Sequence, residues 1–159
     1  MNEKVQIAVS ACLLGEKVRY DAKILPAFDK NSVLKQLNVA EDEVEFISFC
    51  PEVGIGLGVP REKIQVIRNK HQQIRVLGVE NHTLDVTTEL ESYAQNFFKQ
   101  HPDIFAYVVK SKSPSCGYAS TPLFDGSEKD AQQIAITSGL FVQTILKIKP
   151  QTLVIDTKC

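Results

Sequence analysis

The sequence has no tryptophan and one methionine among its 159 residues, absences that exclude nothing by themselves. It lacks a charge of one sign: Lys and Arg number 18 against 19 Asp and Glu, for a formal net charge of −1. No global field therefore draws it to nucleic acid or to an anionic membrane. The longest apolar runs are five or six residues, far short of a membrane span. Met1-Asn2-Glu3-Lys4-Val5 carries no signal-peptide hydrophobic region, and a cytoplasmic protein is expected. The four cysteines contain no C-x-x-C pair, so the short paired spacings of a zinc ribbon or bacterial ferredoxin site are missing. The length suits one domain, 1–159, and the 43% apolar and 23% charged shares are ordinary for a soluble globular chain.

What is present is a recurring position for cysteine. Cys12 follows the apolar run Val5–Val9, Cys50 follows Val44–Phe49, and Cys116 follows Phe105–Val109. Buried strands are predicted at 5–10, 44–49, 104–109 and 152–156, and a β-hairpin at 63–68 and 73–79. A helix is predicted within 26–38, with Pro26 in its first turn. A clearer one spans about 86–100, where Val86, Leu90, Tyr93, Ala94, Phe97 and Phe98 form one apolar face and Asp85 is the N-cap. Residues 118–128 read as loop, and a helix is predicted over 129–148 with a break near Gly139. The alternation implies an α/β fold: three layers, a mostly parallel twisted sheet with helices on both faces, Rossmann-like, plus a small hairpin.

In such sheets ligands bind outside the carboxyl ends of the strands, where all three cysteine loops lie. Soft thiolates gathered there suit zinc or an iron–sulfur cluster, and three instead of four leaves an open position for chemistry. The plainer alternative is that the cysteines are small buried hydrophobes. Glu52, two residues past Cys50, is placed to shuttle a proton, or else to cap a helix or pair with Arg61. Gly54-x-Gly56-x-Gly58 does not match a phosphate-binding fingerprint, and no helix is expected after it. Lys110 and Lys112 are expected to favour the thiolate of Cys116. His71, His82 and His101 read as surface residues. Arg61, Lys63, Arg68, Lys70 and Arg75 cluster at the hairpin, either as a solvated face or as a patch for RNA or another anion.

Ser10-Ala11-Cys12-Leu13-Leu14-Gly15 with Val18-Arg19-Tyr20-Asp21, the run Cys50–Arg61, and Ser113-Pro114-Ser115-Cys116-Gly117 resemble three motifs of the DUF523 family, and Asp85-Val86-Thr87 a weaker fourth. The form of the second motif resembles the thiouracil desulfidase branch. That resemblance implies a [4Fe-4S] cluster held by three cysteines, here Cys12, Cys50 and Cys116, with the fourth iron open to the sulfur of a small thiolated nucleobase such as 2-thiouracil. It implies non-redox exchange of C=S for C=O with release of hydrogen sulfide, Glu52 as proton shuttle, and Ser113 positioning the substrate or assisting proton transfer. Two departures stand out. Ala22 follows Asp21 where glycine is usual, and Cys159 is an additional thiol near the same sheet edge. The rival readings are a non-enzymatic metal-binding or redox-sensing thiol module and an RNA-binding hairpin.

Overall fold

The computed structural model describes residues 3–126 and 131–158. Four strands form a parallel sheet: β1 (Val5–Ser10), β2 (Val44–Phe49), β5 (Ile104–Lys110) and β8 (Leu153–Thr157), in the order β2-β1-β5-β8. Side chains alternate across a strand, and here both faces are covered, which is why the central strands are continuously apolar. Ile7, Val9 and Val108 pack on one face with Val33 and Leu34 of helix α1 (Lys30–Leu37). Ala8, Tyr107 and Val109 pack on the other. There they meet Ala94 and Phe97 of helix α3 (Thr87–Gln100) and Phe141, Val142 and Ile145 of helix α4 (Leu140–Ile148). The aromatic centre of that face is tight, with the Phe49 and Phe141 rings stacked at 4.7 Å. Among the described residues no helix is long and apolar enough to cross a membrane.

A second sheet extends the predicted hairpin. Strands β3 (Ile64–Arg68) and β4 (Ile74–Gly78) pair antiparallel; β3 also pairs parallel with β6 (Thr121–Phe124), which pairs antiparallel with β7 (Gln133–Thr137). Ile64, Val66, Val76 and Leu123 pack against Leu90 and Leu140 at the N-terminal ends of α3 and α4. The α/β class is as expected, but two elements differ. Part of the 118–128 segment is strand β6, hidden by Pro122, which gives no N–H to a ladder and reads as a loop signal. The predicted 129–148 helix is instead β7 followed by α4, with Gly139 as the α4 N-cap. The alternating β-branched run Gln133-Ile134-Ala135-Ile136-Thr137 prevails there because β6 offers it a pairing edge. Positions 129 and 130 lie outside the described residues.

Smaller shifts have local causes. Helix α1 begins at Lys30, past Pro26, because Asp29 caps it by accepting the Ser32 N–H at 3.1 Å. At α3 the cap position is Val86, and Asp85 just before it accepts the Thr87 N–H at 3.0 Å. Ala22 adopts φ 60°, the left-handed region where glycine is at ease.

Candidate active site at the strand ends

The strand order sets the ends of β2, β1 and β5 side by side, and a cysteine follows each. Ser10 and Phe49, the last residues of β1 and β2, are register partners. The Lys110 N–H donates to Ser10 Oγ at 3.2 Å and ties in the end of β5. Cys12 lies in a single 3-10 turn (Ala11–Leu14) closed by Gly15 at φ 82°. Cys50 is the N-cap of a short helix, α2 (Pro51–Gly54), which the glycines had masked in the sequence. Cys116 belongs to the loop after β5. All three line one cleft of about 300 Å³ together with Glu52, Arg61, Ser113 and Ser115. Two loops around it are joined where the Arg61 N–H donates to the Tyr20 carbonyl at 2.9 Å.

Among the described residues no disulfide involves these cysteines, and no three His, Cys, Asp or Glu side chains converge as ligands of one metal ion. Cys159 lies outside the described residues. Burial pushes the Cys116 thiol far above its ordinary value; nearby Cys50 adds to the rise, and hydrogen bonding with Ser115 and Ser10 opposes it. Burial also raises Cys50. The expectation that Lys110 and Lys112 hold Cys116 as a thiolate is therefore wrong. Lys112 is exposed, and the Lys110 ammonium donates to the Ser111 carbonyl at 3.0 Å. The direction favours the protonated thiol, and a metal that binds such a thiol releases its proton.

Glu52 is nearly enclosed, with 9% of its surface exposed. Oε1 accepts from Arg61 Nε at 3.0 Å and Oε2 accepts from Ser115 Oγ at 2.8 Å. Arg61 also donates to the Gly58 carbonyl at 2.8 Å. The pairing of Glu52 with Arg61 is therefore met, and the carboxylate lies in the cleft that the thiols line. Ser115 Oγ lies 3.2 Å from Ser113 Oγ and 3.7 Å from Cys116 Sγ. A chain of exchangeable protons runs from Ser113 through Ser115 to the carboxylate. Ser113 also braces its own loop, its Oγ accepting from the Cys116 N–H at 3.0 Å.

Helix α4 holds this loop from beneath. The Gly139, Leu140 and Phe141 N–H groups donate to the carbonyls of Gly117, Pro114 and Ser115 at 2.7, 3.0 and 2.9 Å. These are N–H groups that a helix start leaves without partners, so anchoring the loop satisfies both. A Cβ at Gly139 would overlap the Ser115 and Cys116 backbone. Sequence reasoning gave neither Ser115 nor Gly139 a role at the site, although it placed a helix break near Gly139. Ser115 sits beside Cys116 in a serine-rich loop, but nothing local shows Gly139 meeting that loop.

The histidines are absent from the cleft lining. His71 and His82 are exposed, whereas His101 is half-buried, its ring 4.7 Å from that of Phe97. The basic hairpin cluster is divided. Arg61 and Lys63 line the cysteine cleft with Arg19, Lys110 and Lys112, whereas Arg75 is turned to Asp85 at 2.7 Å.

A parallel sheet opening at its carboxyl edge onto soft sulfur donors marks an α/β protein built for ligand chemistry at that edge. The model of the 2-thiouracil desulfurase family matches residues 7–157, and the chain belongs to that family. It is similar to a solved structure of the [4Fe-4S]-dependent thiouracil desulfidase TudS (DUF523Vcz), at 27% identity and a TM-score of 0.68 over 96% of this chain and 91% of that one. No curated protein matches it.

Proposed function

We propose that the protein is a desulfidase that converts the C=S of a thiolated nucleobase to C=O and releases hydrogen sulfide. The observation that carries this reading is the meeting of Cys12, Cys50 and Cys116 in one cleft with the enclosed carboxylate of Glu52. The donor set fits an iron–sulfur cluster. Each cysteine of such a cluster binds its own iron, so the thiols need share a cleft and not a point. When bound by these three cysteines, a [4Fe-4S] cluster supplies a soft Lewis-acid iron with a position that no protein thiol fills.

The chain's own contribution is proton movement and placement. Replacing sulfur by oxygen consumes one water and yields one hydrogen sulfide, with no change of oxidation state. Glu52 accepts a proton as water adds to the substrate carbon and returns it as sulfur leaves. Ser115 and Ser113 extend that path across the cleft. Arg61 keeps Glu52 aimed. Arg19, Lys63, Lys110 and Lys112 give the lining an excess of positive charge, which suits a base carrying an anionic group such as a nucleotide phosphate.

Anaerobic reconstitution with iron and sulfide, followed by assay of sulfide release from 2-thiouracil and its nucleotide, tests the reading. Iron and labile sulfide with turnover are expected in the native protein, and both are lost in Cys50→Ser. Full cluster content and activity in Cys50→Ser, or stoichiometric zinc without labile sulfide, would sink it.

A further inference from the structure

Helix α2 carries Cys50 at its start and Glu52 in its first turn, yet it is four residues long. So short a helix has little stability of its own, so its place must come from what packs against it. Behind it stands Tyr93 of α3, which is half-buried and absent from the cleft lining. A Cβ at Gly54, the last residue of α2, would overlap the Tyr93 ring, whose Cδ2 would lie only 2.8 Å away. The ring therefore occupies the volume that glycine leaves open. Tyr93 is itself held by aromatic neighbours, stacked on Phe97 at 6.3 Å and tilted against Phe141 at 5.8 Å. Phe141 stacks in turn on Phe49, the residue before Cys50. The backbone carrying Cys50 is gripped on both sides by one aromatic group. Burial raises the Tyr93 hydroxyl to about 12; negative charge on the Cys116 and Cys50 sulfurs adds to the rise, and hydrogen bonding with the Cys50 backbone opposes it.

We propose that Tyr93 is a positioning residue for the cysteine cleft: its ring wedges against Gly54 and sets where Cys50 and Glu52 stand, without touching the substrate. The role in catalysis rests on the desulfidase reading; the wedge itself does not.

The test compares Tyr93→Ala, Tyr93→Phe, Gly54→Ala, the Gly54→Ala/Tyr93→Ala pair, and Phe98→Ala in the full chain. Phe98 packs against the same core and controls for lost stability. The measurements are iron and sulfide content over a titration of anaerobic reconstitution, and the alkylation rate of Cys50 in apoprotein, read by mass spectrometry. Tyr93→Ala is expected to weaken cluster binding about tenfold, the loss usual when a residue that orients metal ligands is removed, and to speed Cys50 alkylation. Tyr93→Phe, which keeps the ring, restores both, and Phe98→Ala changes neither. Gly54→Ala impairs both in the native background and adds nothing once Tyr93 is alanine. Equal behaviour of Tyr93→Ala and Phe98→Ala, or equal effects of Gly54→Ala in both backgrounds, overturns the proposal. If the native protein takes up no cluster, the desulfidase reading fails, and the alkylation comparison still decides the wedge.

Discussion

Ser115 donates its hydroxyl hydrogen to Glu52 Oε2 at 2.8 Å, across a sequence separation of 63 residues. This bond joins the Cys50 and Cys116 loops and gives the carboxylate an outlet toward the cleft. Glu52→Gln preserves side-chain size but cannot accept and return a proton. Its turnover should fall about 10²- to 10⁴-fold, the range of a lost general acid–base group, with cluster content retained. Ser115→Ala should lose less, because Glu52 keeps its charge. Kinetics beside iron analysis check both, and native turnover in Glu52→Gln would remove it from the reaction.

Ala22 offers a test of backbone strain. At φ 60° it pays the penalty that a Cβ incurs in the left-handed region, about 1–2 kcal/mol. Glycine escapes this but loses more entropy on folding, about 0.5–1 kcal/mol. Ala22→Gly should therefore stabilise the protein by up to about 1 kcal/mol. Urea unfolding at constant m-value measures it; a loss of stability would show that the loop relaxes around alanine.

The parallel sheet was legible because β1 and β5 are buried on both faces, and β2, although its Glu45 and Ser48 are exposed, still reads as a largely apolar run bounded by loops. Their cysteines were legible for the same reason: a strand that ends abruptly places the next residues at the sheet edge. The second sheet was not. The middle of β6 is Pro122, and β7 is exposed along most of its length, so neither shows the pattern of a buried strand. Its existence depends on pairing between distant segments, β3 with β6. The thiol ionisation was misjudged for a related reason. Lys110 and Lys112 stand close to Cys116 in sequence, but burial is the largest influence on the sulfur. The Glu52–Ser115 bond and the support from Gly139 are contacts across the fold, with no local signature.

Asp85 makes the start of α3 sensitive to acid. Burial pushes its carboxyl up, but hydrogen bonds from Thr87 and Arg75 outweigh this and leave it below its ordinary 3.8. A depressed native value means stability that is complete above the unfolded-state pKa and vanishes as pH falls through the native one. Asp85→Asn should therefore lower the melting temperature at neutral pH, and the gap to the native protein should close in acid, below about pH 4. Thermal melts from about pH 7 to about pH 2 check it; a gap that stays constant with pH would mean that Asp85 acts through shape alone.

The charge of the cleft bears on the substrate. Arg61 is engaged by Glu52, and Arg19 lies 3.4 Å from Asp21. Among the described residues no carboxylate pairs with Lys63, Lys110 or Lys112. A thiolated nucleoside monophosphate should consequently have a higher kcat/KM than the free base, mainly through KM, and the advantage should shrink as salt screens exposed charges. Lys63→Ala and Lys112→Ala should each erase part of it, by about 0.2–1 kcal/mol of binding, as for exposed ion pairs, while leaving turnover of the free base unchanged. If nucleotide and base are used equally at low salt, or if the lysine variants slow both alike, the basic lining serves the protein's own structure and not recognition of a phosphate.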